Sequence, residues 1–277
     1  MLKKGVNKFM EAYTGFAQVY DEFMDNIPYK EWNKYLLELL KENGLSEGIL
    51  LDLGCGTGSI TELLAKAGFD MIGIDNSEDM LEIAREKAMD EELDILYLLQ
   101  DMREFELFGT VAGVVNICDS MNYITSEEDL LKVFKLVNNY LDPKGLFIFD
   151  MNTPYKYKHI LADNTIAENR EDSSFIWDNY FDEETGINQY DLAVFVKADE
   201  EDDDEWSEGE VFYRFQETHY QKAYELDTVK ELLAKAGMEF VAVYDAFTKD
   251  APKENSERIY IIAREGHQEG KFYSDEL

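Results

Sequence analysis

The chain has 277 residues, with 26 basic against 60 acidic side chains and a formal charge of -34. Such a surface repels phosphate backbones and anionic lipid heads, so neither nucleic acid nor a membrane is expected as a partner. Apolar residues make up 45% of the chain, enough for a sizeable core, and no run approaches the length of a membrane span.

In chain order, the opening MLKKGVNKFMEAYTGF has no apolar stretch behind its lysines, unlike a signal peptide. Phe16, Val19, Tyr20 and Phe23 follow at the i, i+3, i+4, i+7 spacing of a helix face. The stretch from Glu31 to Asn43 repeats that pattern through Trp32, Tyr35, Leu36, Leu39 and Leu40, and Gly44 is placed to stop it. Ile49 to Leu53 predicts a strand, and Ile60, Leu63, Leu64 and Ala67 line one face of the helix after it. A second strand runs from Met71 to Ile74 and ends at Asp75, and Ser77 can cap a helix reaching about Ala88.

Ile95 to Leu99 and Val111 to Ile117 predict the third and fourth strands. Ser126 and Asp129 form a capping box for a helix buried through Leu130, Val133, Phe134, Val137 and Leu141. Asp142 to Gly145 then turns the chain into a fifth strand, Leu146 to Phe149. These strands are continuous apolar runs, the mark of strands covered by helices on both faces. The expected fold class is therefore α/β, a doubly wound, mostly parallel sheet.

Beyond Asn152 the texture changes. Phe175 to Trp177, Tyr190 to Val196 and Val211 to Tyr220 are β-rich and interleaved with polar residues, with a hairpin turn at Glu184-Thr185-Gly186. This predicts an antiparallel insertion of three or four strands, with the acidic run Asp199 to Glu205 as a solvated tip. A helix from Asp227 to Ala236 follows, then strands Phe240 to Phe247 and Arg258 to Ala263, which can pair antiparallel.

The stretch LDLGCGTGS places Gly54, Gly56 and Gly58 at alternate positions between the first strand and its helix. A bare turn there lets a ligand approach the backbone beside a helix N-terminus. No lysine follows Gly58, which excludes a triphosphate loop, and the third glycine comes one residue too early for a pyrophosphate turn. A nucleoside lacking phosphates remains. Asp75, Asp101 and the group Cys118-Asp119-Ser120 stand at the carboxyl ends of the next three strands, where ligands bind in this architecture. An acid at the tip of strand two can accept both ribose hydroxyls, and Asp101 can meet an adenine amino group. Each acid alone could equally cap the following helix.

The ordered set ILLDLGCGTGSIT, MIGIDNSEDMLEIAREK, LQDMREF, NICDSMNYI and LDPKGLFIFDMNTP resembles class I S-adenosylmethionine-dependent methyltransferases. The likeness is strong over residues 45–152 and weaker over the final helix and strands. It implies a seven-stranded Rossmann-like sheet, with S-adenosylmethionine as cofactor and S-adenosylhomocysteine as product. By position, Gly54, Gly56 and Gly58, with Cys55 in the same turn, would line the methionine moiety, and Asp52 would help hold its ammonium group. Asp75 would bind the ribose, Asn76 the adenine face, and Asp101 with Met102 would frame adenine. The Cys118-Asp119-Ser120 tip would lie next to the sulfonium. The segment YTGFAQVYDEFM also resembles the N-terminal lid of small-molecule members, with Tyr13 and Tyr20 closing over the cofactor. A plain buried helix face is the other reading of that segment.

The implied organisation is a core of residues 1–152 and 225–265, residues 1–44 forming a helical lid, an insertion at 153–224 and a polar tail at 266–277. The insertion sits where family members, glycine-type and amino-sugar N-methyltransferases among them, build substrate specificity; it would cap the substrate or form a dimer interface. The expected partner is a small-molecule methyl acceptor, for a monomer or homodimer. Cys55 and Cys118 lack zinc-type spacing and a basic neighbour, so a reduced, cytoplasmic, metal-free protein without a nucleophilic thiol is expected. Candidate bases are Asp119, which could instead hold a substrate ammonium, and His219, which could be a plain sheet histidine; His159 and His267 lie in less favourable places. The competing readings are a nicotinamide-dependent oxidoreductase and a non-catalytic cofactor-binding module.

Overall fold

The computed structural model describes residues 17–25, 28–198 and 210–266. Tyr13, Phe16, the run Asp199 to Glu205 and His267 lie outside the described residues. Helices α1 (Ala17–Phe23) and α2 (Tyr29–Glu42) precede the alternation β1 (Ile49–Leu53), α3 (Ser59–Lys66), β2 (Asp70–Asp75), α4 (Glu78–Asp90), β3 (Ile95–Leu99) and β4 (Val111–Asn116). Then come α5 (Glu127–Tyr140) and β5 (Leu141–Asn152), strands β6 (Thr165–Asn169), β7 (Ser173–Asp182), β8 (Ile187–Lys197) and β9 (Phe212–Lys222), and finally α6 (Leu226–Lys235), β10 (Glu239–Asp245) and β11 (Arg258–Arg264).

Seven strands form one sheet in the order β10-β11-β5-β4-β1-β2-β3. β1 to β5 run parallel, and only β11, between β5 and β10, runs against its neighbours. Alternate residues of each strand feed two cores. Leu51, Leu53, Phe147, Phe149 and Ile261 meet α5 and α6 on one face. Leu50, Val115, Ile148 and Ile262 meet α2 and α3 on the other. Both faces are dry, which is why these strands read as unbroken apolar runs. Ser126 accepts from the Asp129 N–H at 3.1 Å and Ser77 from that of Met80 at 3.3 Å, so both expected caps are made.

Two details differ from the sequence reading. Asp142 to Gly145 is an irregularity inside β5: Leu141 already pairs with Val111, and Lys144 takes up a left-handed φ of +68°. The inserted strands pair antiparallel as expected, in the order β6-β7-β8-β9, but β6 was not singled out, because TIAEN carries no apolar alternation to announce it. Gly186 supplies the left-handed residue of the β7–β8 turn at φ +67°.

Helix α1 bridges the two sheets. Val19 and Phe23 pack with Leu192, Val194, Phe175 and Trp177 of the inserted sheet. On its other side Asp21 accepts from Thr57 Oγ1 at 2.6 Å and Lys87 Nζ at 2.7 Å, reaching the glycine turn and α4. Among the described residues no helix is long and apolar enough to cross a membrane.

Candidate active site

A cavity of about 600 Å³ opens at the carboxyl ends of β1 to β4, between the seven-stranded sheet, α1 and the inner face of the inserted sheet. Its size suits a small-molecule site. It gathers Tyr20, Asp52, Gly54, Cys55, Gly56, Asp75, Asn76, Asp101, Met102, Cys118, Asp119 and His219 from distant parts of the chain.

The glycine turn is fastened from strand two. Asp75 accepts from the N–H groups of Gly56 and Ser77, both at 2.9 Å, and Gly54 and Cys55 donate to the Ile74 carbonyl at 2.7 and 3.0 Å. Gly56 has a φ of +55°, and a side chain there would project into open space, so its bare backbone faces the cavity. Burial pushes the Asp75 carboxyl upward, against the bonds from Ser77 and Gly56 that favour its charge. Asp52 is buried beneath the turn, accepts from Thr61 Oγ1 at 2.6 Å, and is raised by burial to about 7.

The surroundings of three site residues bear on their expected roles. Gly58 does not line the cavity. At φ +79° a side chain there would press into Tyr97 and Ala84, so this glycine serves the packing of α3 against α4 and β3. The Asp101 carboxylate is forked by the Arg103 guanidinium and also accepts the Arg103 N–H at 2.8 Å, which holds it below its usual range; adenine would have to share that carboxylate with Arg103. Asp119 gives one oxygen to Arg258 at 2.5 Å and the other to Gln221 at 2.7 Å, a poor arrangement for a free base.

His219 lies on the buried face of β9, where Glu217, His219 and Gln221 alternate with exposed Gln216, Thr218 and Tyr220. Its Nε2 lies 3.0 Å from Glu217 Oε2, and its ring stacks on Tyr190 with centroids 4.8 Å apart. Tyr190 hydrogen-bonds Tyr123, and Trp177 packs on Tyr190 at 4.8 Å. His159 is exposed against Tyr155 and is not part of this wall. Burial raises the thiols of Cys55 and Cys118 well above the ordinary cysteine range, so neither is a ready nucleophile. No group of metal-ligating side chains occurs among the described residues.

The cavity wall carries five carboxylates, Asp52, Asp75, Asp101, Asp119 and Glu168, against Arg103 and Arg258. Such a lining favours a ligand with positive charge over a phosphate-bearing one. A methyltransferase domain model matches residues 50–145, the stretch from β1 into β5 that builds the cofactor end. Over 253 residues the chain is 38% identical to YqeM of Bacillus subtilis (strain 168), whose methyltransferase name is itself provisional; the match covers 91% of this chain and 96% of that one. The chain belongs to the S-adenosylmethionine-dependent methyltransferases.

An S-adenosylmethionine-dependent methyltransferase of Clostridium acetobutylicum superposes with a TM-score of 0.80 at 27% identity, covering 93% of this chain and all of that one. The S-adenosylmethionine-bound amino pentose methyltransferase CalS10 of Micromonospora echinaspora shares the fold at a TM-score of 0.67 and 14% identity, over 95% and 100% of the two chains. Family membership removes the nicotinamide and non-catalytic readings. The methyltransferase uses S-adenosylmethionine, and its residues fit that cofactor: a bare Gly56 backbone, Asp75 at the tip of β2, and an anionic wall for a ligand bearing a sulfonium and an ammonium.

Arg258, Asp150, Glu217 and Gln221 were not singled out from the sequence. A period-two polar stripe in ETHYQ marks Glu217, His219 and Gln221 as one face. Asp150 inside the apolar run LFIFDM is a second signal, since a buried charge needs a partner.

Proposed function

We propose that this methyltransferase acts on the amine or hydroxyl of a small metabolite held between the cofactor end and the inserted sheet, with His219 taking the acceptor's proton. The observation that carries this is the His219–Glu217 pair on the cavity face of β9, opposite the cofactor turn. S-adenosylmethionine supplies an activated methyl group on a sulfonium, so the protein's share is alignment, exclusion of water and handling of the acceptor's proton.

On this reading Gly54 and Gly56 hold the methionine part, with Asp52 beneath the turn facing its ammonium group. Asp75 takes the ribose, and Asn76 and Met102 the adenine. Glu217 orients the imidazole through its contact with Nε2. Trp177, Tyr190, Phe175 and Tyr123 supply flat apolar walls that suit a ring or a cationic amine. The indole N–H groups of Trp32 and Trp177 are buried without a partner among the described residues, and either can donate to an acceptor oxygen. The inserted sheet then serves as a substrate cap, an assignment supported by the cavity lining drawn from β6, β7, β8 and β9. The fold shared with an amino pentose methyltransferase is in keeping with an amine acceptor.

The test is turnover of S-adenosylmethionine against a panel of amines, hydroxyls and thiols, run on the wild type and on His219→Asn. The expected result is turnover with an amine or hydroxyl, and a loss of about 10²–10⁴-fold in kcat in the variant at neutral pH. Unchanged kcat would refute the base assignment, and turnover confined to thiols would refute the acceptor class.

A further inference from the structure

Two successive residues with side chains, Cys118 at φ +65° and Asp119 at φ +52°, occupy the left-handed region at the tip after β4. Such residues are held there only when their surroundings over-determine them. The surroundings here are specific. The buried carboxylate of Asp150 on β5 accepts from the Asp119 N–H at 2.7 Å and the Cys118 N–H at 3.3 Å. Two convergent N–H groups of this kind form an anion-binding concavity, and the protein fills it with its own acid.

Arg258 at the start of β11 closes the arrangement, donating to Asp150 at 2.6 Å and to Asp119 at 2.5 Å under the ring of Trp32. On one side the tip abuts the glycine turn, where Ser120 Oγ lies 3.4 Å from the Gly54 carbonyl oxygen. On the other, Asp119 accepts from Gln221 of β9 at 2.7 Å.

We propose that Asp150 and Arg258 are positioning residues for methyl transfer, holding the left-handed Cys118–Asp119 tip against the cofactor turn and locking it, through Asp119 and Gln221, to the inserted sheet. The second half rests on the reading of that sheet as the acceptor wall; the first half does not. Arginine suits the task because its rigid planar fork sends separate N–H groups to the two carboxylates in a fixed geometry, whereas a lysine would meet them as a single point charge. Asp150→Asn puts an N–H₂ group where one oxygen now accepts, which turns acceptance into repulsion at one of the two amides.

The experiment is hydrogen exchange by mass spectrometry on the full chain, with and without S-adenosylhomocysteine, alongside calorimetry with the same ligand. In Asp150→Asn and Arg258→Gln, exchange in the peptide spanning Ile117 to Ser120 should rise at least tenfold and affinity fall at least tenfold, while α5 keeps its protection. Arg258→Lys should recover part of both. The wild type should show ligand-induced protection over residues 217–222; Gln221→Met should abolish it while leaving tip exchange and affinity within twofold. Should Asp150→Asn also unprotect α5, Arg258→Lys and Gln221→Met carry the same comparison. Tip exchange and affinity within twofold of wild type in both Asp150→Asn and Arg258→Gln would overturn the positioning role. Ligand-induced β9 protection that is absent from the wild type, or that survives Gln221→Met, would overturn the link. Failure of the acceptor-wall reading appears separately, in the His219 assay, and leaves the tip result intact.

Discussion

Asp21 of α1 accepts a hydrogen bond from Thr57 of the glycine turn at 2.6 Å, and Lys87 of α4 donates to the same carboxylate at 2.7 Å. The end of α1 is tied to the inserted sheet: Phe23 meets Phe175 edge-on at 4.8 Å, and just past the helix Asp25 is forked by Arg170 of the β6–β7 turn at 2.8 and 3.0 Å. Tyr20, the residue before Asp21, faces the cavity. The short α1 therefore straps the glycine turn to the inserted sheet.

Asp21→Ala should loosen that strap without unfolding the chain. Asp21 and Lys87 are 38% and 30% exposed, so their ion pair is worth at most about 1 kcal/mol after screening. With the Thr57 bond also lost, affinity for S-adenosylhomocysteine should fall about 3- to 10-fold by calorimetry. The deficit should shrink in high salt as the wild-type pair is screened. Equal affinities would show that α1 does not close over the cofactor.

Gly58→Ala should cost stability rather than cofactor contacts. The left-handed φ of +79° and the approach of Ala84 Cβ to 3.2 Å both penalise a side chain. Together they should cost about 2–4 kcal/mol, which lowers the melting temperature by about 5–10 °C in a chain of this size. Thermal denaturation followed by circular dichroism checks this; an unchanged melting temperature would place Gly58 back among residues free to meet a ligand.

Asp52 makes stability depend on pH in a direction opposite to that of a salt-bridged acid. Burial raises its folded value to about 7, above the unfolded value near 4, so the native state keeps a proton that the unfolded state has lost between those limits. Stability from this group is full below pH ~4, falls as pH rises, and levels off above pH ~7, a span of about 4 kcal/mol. Asn keeps an oxygen for Thr61 and carries no charge. Asp52→Asn should therefore gain stability relative to wild type at pH 8 but not at pH 4 in urea titrations. A wild-type–variant difference that does not change with pH would contradict the burial argument.

Much of the cofactor end was legible because its signals are local. The alternate glycines, the acids at strand tips and the Ser77 and Ser126 caps depend on backbone geometry within a few residues of each motif. The apolar runs required a sheet covered on both faces, and the mostly parallel topology followed. Gly58 was misread because spacing cannot tell a glycine that meets a ligand from one that makes room for Tyr97 and Ala84. Asp101 does line the cavity, but spacing alone does not say that Arg103, two residues on, turns back to fork its carboxylate.

What the sequence determined by itself is the nucleoside-type turn, the doubly wound sheet and the position of the inserted strands, because hydrophobic period and turn chemistry are properties of short windows. Only the tertiary structure decided what Asp119 does. Its partners, Arg258 and Gln221, lie 139 and 102 residues away in sequence, and chain closure brings them together at the end of the sheet. The same holds for the aromatic wall around His219, where Tyr190 arrives by strand register and Tyr123 by the turn after β4. Long-range pairing of this kind is set by how layers stack, and stacking leaves no mark on any single stretch of residues.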